Sequence, residues 1–202
     1  MARDATSTRE RLLDAAQHLF ARRGVDAVPI REINERAGQR NASALHYHFG
    51  SRQGLLVAIV ERHQPAIDGE RAARLARAGD AAHDVLAAVL VPLTDRLRSP
   101  AGRDYLRIVP QLMGPGLAED ELPQPPALVE GLNRLERHLG ALPDPARAQR
   151  LRSMLLATTT LLADRAARIE NGDAVALDHD AFVAELVAMA TGLVLAPSRL
   201  AD

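Results

Sequence analysis

Several residue types are missing from this 202-residue chain, and each absence narrows the kinds of protein it can be. There is no cysteine, which excludes disulfides, a thiol nucleophile and a zinc–thiolate site. The N-terminus has no apolar signal core, and the longest stretch without a charge, residues 186–198, is well short of the roughly 20 residues that span a bilayer. We therefore expect a soluble, cytoplasmic protein that does not contact membranes.

Lysine is also absent, so every basic side chain other than histidine is an arginine. Alanine is abundant as well, and a coding bias explains both features more simply than a functional need for guanidinium groups. The net charge of −1 gives no overall sign of nucleic-acid binding. However, residues 1–54 hold nine arginines against six acids, whereas residues 55–202 hold sixteen against twenty. Positive charge is therefore concentrated in the N-terminal quarter.

Patterns typical of catalytic or metal sites are missing. His46 and His48 are two residues apart, so on a helix they point to different sides and cannot chelate one metal ion. The sequence contains no glycine-rich phosphate loop and no nucleophile elbow, and the acidic run 119–121 is best explained as a solvated loop. The other histidines have no partner at ligand spacing. We expect neither an enzyme, nor a metal site, nor a cofactor.

Apolar residues recur at helical spacing along the chain and no segment alternates with period two, which predicts an all-α fold. Residues 1–6 are expected to form a loose arm, and the capping-box spacing of Ser7 and Glu10 to start the first helix, which Gly24 ends. Pro65 should kink or interrupt the helix that Ser51 starts. Glycines and prolines in residues 113–126 predict a mobile loop. The further helices are expected at about 85–97, 100–113, 127–139, 146–170 and 180–195.

Residues 36–52 have the pattern of the turn and second helix of a helix-turn-helix. Gly38 can take the left-handed conformation that ends a helix, and the side chain of Asn41 can accept a hydrogen bond from a backbone N–H two or three residues on. Leu45 and Phe49, four residues apart, would point inward. The opposite face of this second helix is then formed by Ser43, His46, Tyr47 and, near its end, His48.

That outer face suits the major groove of double-stranded DNA. Histidine, serine and asparagine can bond base edges or phosphates, and Arg40 can reach guanine or a phosphate. Ser51 is placed to cap a further helix, whose first-turn amides could meet a phosphate together with Arg52.

Residues 8–60 resemble the N-terminal domain of TetR-type transcriptional repressors, with the motif T-R-E-R-L-L-D-A-A…L-F-A-R-R-G…I-R-E-I…R-A-G…L-H-Y-H-F-G-S-R-Q-G-L-L. Arg52 stands where this family usually has lysine. The resemblance implies a helix-turn-helix DNA-binding domain at 1–54, with its motif at about 29–49, and a ligand-binding and dimerisation domain at 55–202. Carried over to this sequence, the resemblance implies DNA contacts at Ser43, Ala44, His46, Tyr47, His48 and Arg52, and the side chains of the turn add Arg40 and Asn41.

The last two helices are apolar on more than one side, and a single chain would leave much of that surface in water. Pairing with a second copy in a four-helix bundle would bury it. The alternative is that both faces are buried within one chain; the resemblance favours the homodimer, since such repressors pair through their last two long helices. The candidate interface residues are Leu151, Leu155, Leu162, Phe182, Leu186 and Leu193.

From Pro65 on, the chain has only two aromatic residues, Tyr105 and Phe182, so any cavity there should be mainly aliphatic and suit a small apolar ligand. The candidate polar contacts are Tyr105, His138, Thr158 and Thr159, and Met113 and Met154 could adapt to the ligand. Ordinary core positions are the alternative for each of them. The 113–126 loop could gate access, and the helix after Ser51 is expected to be the only continuous link between the cavity and the motif.

Three hypotheses for the function remain. The first is a dimeric, ligand-responsive DNA-binding repressor that recognises a palindromic operator. The second is a ligand-independent architectural DNA-binding protein with the same fold. The third is a small-molecule binder or enzyme that kept the fold and lost DNA binding, and the intact motif argues against it. We expect the first.

Overall fold

The regular secondary structure is entirely helical in the residues that the computed structural model describes, which are 2–41, 43–113 and 122–198. This confirms the predicted all-α fold. Two short 3₁₀ turns, Asp95–Arg98 and Arg137–Leu139, follow the fifth and seventh helices. The helices in chain order are α1 (Ala2–Arg23), α2 (Ile30–Arg36), α3 (Ala44–Phe49), α4 (Arg52–Leu75), α5 (Ala82–Thr94), α6 (Pro100–Leu112), α7 (Pro126–Glu136), α8 (Asp144–Asn171) and α9 (His179–Leu195).

The first helix is longer than its sequence signals predicted. It begins at Ala2, so the expected loose arm at 1–6 is wrong, and Ser7 lies inside the helix instead of capping it. Residues 2–6 include two alanines and an arginine, which favour helix, and neither glycine nor proline interrupts them. At the other end, Gly24 adopts a φ of +90° and ends α1, as expected.

The fourth helix runs without interruption through Pro65, so of the two expected effects, a kink or an interruption, the second is wrong. Proline removes the N–H that would bond the carbonyl of Glu61 four residues earlier. Both residues are exposed, which leaves water free to bond that carbonyl. The result is a single 24-residue helix that leads from the helix-turn-helix into the rest of the chain.

One apolar core joins the N-terminal helices to the remainder of the chain. It contains Phe20 of α1, Ile33 of α2, Leu45 of α3 and Ile59 of α4, and it continues to Leu106 of α6. A second core lies between α5, α7, α8 and α9. The expected domain boundary at residue 54 falls in the first turn of α4, and the first core crosses it. Movements in the C-terminal helices can therefore be transmitted to the N-terminal ones by direct packing.

Part of the expected loop at 113–126 lies outside the described residues, namely 114–121, which include the acidic run 119–121. Residues 122–125 have no regular secondary structure and lead to Pro126, where α7 begins. Across the described residues, none of the helices combines the length and apolar character needed to cross a membrane.

Candidate DNA-binding surface and ligand cavity

The turn between α2 and α3 has the backbone geometry that the sequence predicted. Gly38 adopts a left-handed φ of +69°, and the N–H of Gln39 donates to the carbonyl oxygen of Asn34 at 2.9 Å. Asn41 Oδ1 then accepts a hydrogen bond from the N–H of Ser43 at 2.9 Å, two residues on, as expected. These bonds fix the angle at which α3 leaves the turn.

The third helix has one buried and one exposed face. Leu45 is buried and Phe49 packs against the first core, as expected from their spacing. On the other face, Tyr47 is 82% exposed, and His46 is exposed beside it. Ala44 was expected to contact DNA, but it is only 8% exposed and belongs to the core, so its side chain cannot reach a groove.

Exposed polar groups continue from this face into the turn. Ser43, Asn41 and Arg40 are all exposed, whereas His48 is half-buried, with its ring 5.1 Å from that of Tyr47. Within the described residues, Arg40 has no carboxylate partner within 4.0 Å, unlike Arg31, which pairs with Glu35. The charge of Arg40 is therefore available to a phosphate.

Arg52 does not have the role expected of it. Its guanidinium donates to the carbonyl oxygens of Val25 and Val28, the second at 2.6 Å, and lies over the ring of Phe20. It therefore ties the α1–α2 loop to α4 instead of projecting towards a phosphate. The expected helix start is confirmed, since Ser51 Oγ accepts from the N–H of Gly54 at 3.0 Å.

Gly54 is a structural requirement that the sequence reasoning missed. A Cβ at this position would lie 2.0 Å from the carbonyl oxygen of Phe49, so any larger residue would push α3 away from α4. Only a spatial contact shows this, because a glycine inside a helix has no distinctive sequence signal.

A cavity of about 850 Å³ lies between α4, α5, α6, α7 and α8. Its walls are largely aliphatic. Four of the expected ligand residues line it, namely Tyr105, Met113, Thr158 and Thr159. Both threonine hydroxyls donate to carbonyl oxygens of their own helix, at 2.8 Å for Thr158 and 2.7 Å for Thr159, so towards the cavity they offer only acceptor lone pairs.

The other two expected ligand residues lie elsewhere. His138 is exposed, and its Nε2 bonds the carbonyl oxygen of Asp80 at 2.7 Å, away from the cavity. Met154 is fully buried in the second core, so it fills space between helices and does not line the cavity. Sequence spacing placed both residues on helices near the cavity but could not say which way they point.

Two polar residues of α4 that the sequence reasoning missed do line the cavity, Gln64 and Arg71. Gln64 Nε2 donates to the phenol oxygen of Tyr105 at 3.2 Å, and Arg71 Nε donates to the carbonyl oxygen of Val89 at 3.0 Å. Burial raises the pKa of Tyr105 to about 12, so its phenol stays protonated at neutral pH. Burial likewise lowers the pKa of Arg71 from its usual value.

A chain of contacts runs from the cavity to α1. The ring of Tyr105 stacks on that of His63, with 4.2 Å between centroids. His63 Nε2 bonds Gln17 Oε1 at 3.0 Å, and Gln17 Nε2 donates to the carbonyl oxygen of Ala101 at 2.6 Å. Burial, followed by the charges of Arg62 and Arg96, lowers the pKa of His63 to about 4, so this imidazole is neutral at pH 7 and donates to Gln17.

Helix α6 is a second link between the cavity and the N-terminal helices, so the expectation that α4 would be the only one is wrong. Its residues Tyr105, Val109 and Leu112 line the cavity. The same helix accepts a hydrogen bond at Asp104 from Arg22 at 2.8 Å, and Gln111 Oε1 accepts from the N–H of Val25 at 2.9 Å. A movement of α6 would therefore displace α1 directly through these hydrogen bonds.

Four of the six expected dimer contacts face the interior of the chain. Leu162 and Leu186 are fully buried, and Leu151 and Leu155 line the cavity. Phe182 is half-buried beneath the guanidinium of Arg165, 4.4 Å from its ring centroid, which leaves only Leu193 clearly on the outside. The helical period fits either face of these helices, and only packing against α5 and α6 shows which one is outward.

Both α8 and α9 nevertheless expose large apolar side chains to solvent. We call the following residues the outer face: Leu156, Leu161, Met189 and Leu193. Their exposed fractions are 43%, 39%, 40% and 42%. Ala184, Ala188 and Gly192 of α9 are also exposed, and such small residues permit close approach of another helix.

Comparison with known proteins agrees with the motif. Residues 12–59 match the family model of bacterial regulatory proteins of the tetR family. The chain is 28% identical, over 110 residues, to an uncharacterized HTH-type transcriptional regulator, TtgW, of Pseudomonas putida, and this match covers 54% of the chain and 76% of TtgW.

Solved structures share the fold over nearly the whole chain. NalD, the secondary repressor of the MexAB-OprM multidrug efflux pump in Pseudomonas aeruginosa, is 17% identical, with a TM-score of 0.53 and coverage of 93% of this chain and 95% of NalD. A tetR-family regulatory protein of Rhodococcus RHA1 is also 17% identical, with a TM-score of 0.52 and coverage of 95% and 98%. Residues 12–59 therefore match the N-terminal domain of the tetR family of bacterial regulatory proteins, and the chain as a whole shares the fold of solved tetR-family regulators.

Proposed function

We propose that this regulator is a ligand-responsive repressor that binds a palindromic operator as a homodimer. In this proposal residues 1–54 bind DNA, and residues 55–202 hold the ligand and the dimer contact. The observation that carries it is that α4 and α6 each line the cavity and also pack against the helix-turn-helix part of the chain. A ligand can therefore alter the position of the motif without touching it.

The exposed face of α3 is suited to reading bases. His46 and Ser43 present short polar groups that can bond base edges, and Tyr47 and Arg40 can contact phosphates or the groove edge. The amide nitrogen of Asn41 can still donate to a base or a phosphate, because only its oxygen is used in the turn. We assign these five residues to the operator contact, with His48 at its edge.

The outer face of α8 and α9 supports the proposed homodimer. Its four large apolar side chains would each lose contact with water if a second copy packed against it. Two recognition helices related by a twofold axis would then meet inverted half-sites about one helical turn apart. The operator should accordingly be a short palindrome.

Release of the operator requires a ligand that prefers a different conformation from the one that DNA selects. A ligand can shift the equilibrium only by its difference in affinity for the two states, typically about 1–3 kcal/mol. The stacked pair Tyr105 and His63 and the bonds of α6 to α1 lie between the two sites. We propose that the ligand displaces α6 and α4 together and changes the spacing of the recognition helices.

The test begins with selection of an operator from a random pool of duplexes, followed by fluorescence anisotropy with the selected duplex. We expect a palindrome, a steep loss of affinity as salt rises, and release when a hydrophobic compound that binds the cavity is added. Linkage requires operator DNA to weaken binding of that compound by the same factor. Wide AT-dependent coverage without release would support an architectural protein, and no protection of any duplex would refute DNA binding.

A further inference from the structure

We infer that the cavity holds an amphipathic anion, whose carboxylate or similar acidic group pairs with Arg71. This inference deepens the proposed function, on which it rests, because it names the chemical class of the ligand. It differs from the expectation of a small apolar ligand, which came from the aliphatic composition of the C-terminal helices.

Arg71 is a buried cation that the chain neutralises only weakly. It is 4% exposed, and its Nε donates to the carbonyl oxygen of Val89. Its Nη1 is buried without a hydrogen-bond partner among the described residues, and the nearest carboxylate oxygen, that of Asp68, is 4.0 Å away. A charge in this position is costly unless another group pairs with it.

The carboxylate of Asp68 is itself held by hydrogen bonds to α7. Its two oxygens accept hydrogen bonds from the backbone N–H groups of Ala127 and Leu128, each at 3.1 Å, in the first turn of α7. Moving this carboxylate closer to Arg71 would break those bonds and leave two backbone N–H groups in the first turn of α7 without a partner. Because Arg71 lines the cavity, a group from outside the chain can supply the closer negative partner that Asp68 does not.

The cavity has a positive bias in its described lining. No Asp or Glu is among those residues, whereas Arg71 is. An anion would therefore be attracted to Arg71, and a cation would be repelled.

Two further polar groups complete a site for an acidic head group. The phenol oxygen of Tyr105 accepts from Gln64, which leaves its own proton free to donate to a carboxylate. Gln64 Oε1 is buried without a hydrogen-bond partner in the described part of the chain, and it could accept from an O–H or N–H next to the acidic group. The rest of the cavity is mostly apolar and suits an aliphatic or aromatic body.

Competing ligand classes leave these groups unsatisfied. A purely apolar guest offers no partner to Arg71 Nη1 or to Gln64 Oε1, and a neutral carbonyl would bond Nη1 without compensating its charge. An anion with an apolar body supplies both the charge and the contact area.

The experiment measures displacement of the neutral dye N-phenyl-1-naphthylamine, which fluoresces in apolar sites, by decanoate, 1-decanol and decylamine at pH 7.5. These competitors have the same chain and differ in their head group. For the wild type we expect decanoate to bind at least as tightly as decanol and at least about tenfold more tightly than decylamine, the factor expected from one charged hydrogen bond. Preference for decanol over decanoate would overturn the inference.

Three variants locate the effect. Arg71→Met should reduce the ratio of decanoate to decanol affinity about tenfold or more, while Arg71→Lys, which keeps the charge, should retain part of it. The matched control is Arg134→Met, because Arg134 also donates to backbone carbonyls, those of Leu75 and Ala78, but does not line the cavity. An unchanged ratio in Arg71→Met, or the same fall in Arg134→Met, would contradict the assignment.

Tyr105→Phe provides a second route if Arg71→Met fails to fold by circular dichroism. Loss of the phenol donor should lower the affinity for decanoate severalfold and leave the affinity for decanol unchanged. An equal loss of affinity for both would count against the proposed site for the acidic head group. Operator binding is measured on the same preparations. A protein that prefers decanoate but binds no operator would refute the proposed repressor and leave the inferred ligand class standing. A protein that releases its operator with decanol but not with decanoate would refute the ligand class and leave the proposed repressor standing.

Discussion

Mild acid should destabilise this protein through His63, the imidazole that connects the cavity wall to α1. The side chain is only 8% exposed, stacks on Tyr105 and donates to Gln17. Burial and the charges of Arg62 and Arg96 lower its pKa to about 4, against 6.5 for a free histidine. The described surroundings therefore favour the neutral ring.

The sign and size of the effect follow from proton linkage. Between pH 6.5 and pH 4 the unfolded chain protonates His63 and the folded chain does not, so the unfolded state binds more protons and stability falls as the pH falls. With these two pKa values, lowering the pH from 7.5 to 5.0 costs about 2 kcal/mol from this residue alone. That is a large share of a typical stability of roughly 5–15 kcal/mol.

Urea unfolding of the wild type and of His63→Gln, at both pH values and at one protomer concentration, measures this contribution. Glutamine keeps an N–H donor for Gln17 but cannot be protonated. We expect the variant to be less stable at pH 7.5, since it loses the stacking on Tyr105, but to lose about 2 kcal/mol less than the wild type at pH 5.0.

The contributions of the other titrating groups to the pH dependence of stability cancel when the variant is compared with the wild type. His83→Gln, at an exposed position near the start of α5, is the control for the loss of a histidine as such. If His63→Gln showed the same loss on acidification as the wild type and as His83→Gln, the argument that burial keeps this ring neutral would be wrong.

Three further predictions concern DNA, the dimer and Arg52. His46→Ala should relax base preference in a selected operator pool, at about 1–3 kcal/mol for a base pair, whereas Tyr47→Ala should weaken binding to all sequences; an unchanged preference in the first would refute the assigned face of α3. Leu193→Glu should give monomers by light scattering while the control Val129→Glu, on α7, leaves dimers, and a dimer in both would place the contact elsewhere. Arg52→Met should lower the free energy of unfolding by about 1–3 kcal/mol, because it frees two backbone carbonyls; an undiminished stability with weaker DNA binding would restore its phosphate role.

The sequence alone predicted those helix ends and turns that depend on residues close together in the chain. Gly24 and Gly38 take positive φ values at the helix ends where they were expected, since only glycine adopts that conformation without strain. Ser51 caps α4 and Asn41 closes the turn because each side chain bonds a backbone N–H within three residues. The helical class and the structure of the turn therefore followed from local spacing.

Orientation around each helix axis was decided only by tertiary packing. Leu161 and Leu162 are adjacent, yet the first is exposed and the second fully buried, because α6 covers one side of α8 and not the other. Sequence placed Leu162 and Leu186 at a dimer contact because the helical period fits an interior face and an interface equally well. The outer face became identifiable only when the interior partners were known.

Long-range polar contacts were equally invisible to the sequence. Arg52 bonds carbonyls 24 and 27 residues earlier, and Arg71 bonds one 18 residues later, so no local motif could reveal either role. The sequence thus determined which segments are helices, where the motif lies and how its turn is built, because those depend on backbone conformation within a few residues. Only the tertiary structure decided which arginine braces the motif and which lies at the cavity wall with only a distant carboxylate, since both depend on where distant backbone segments meet.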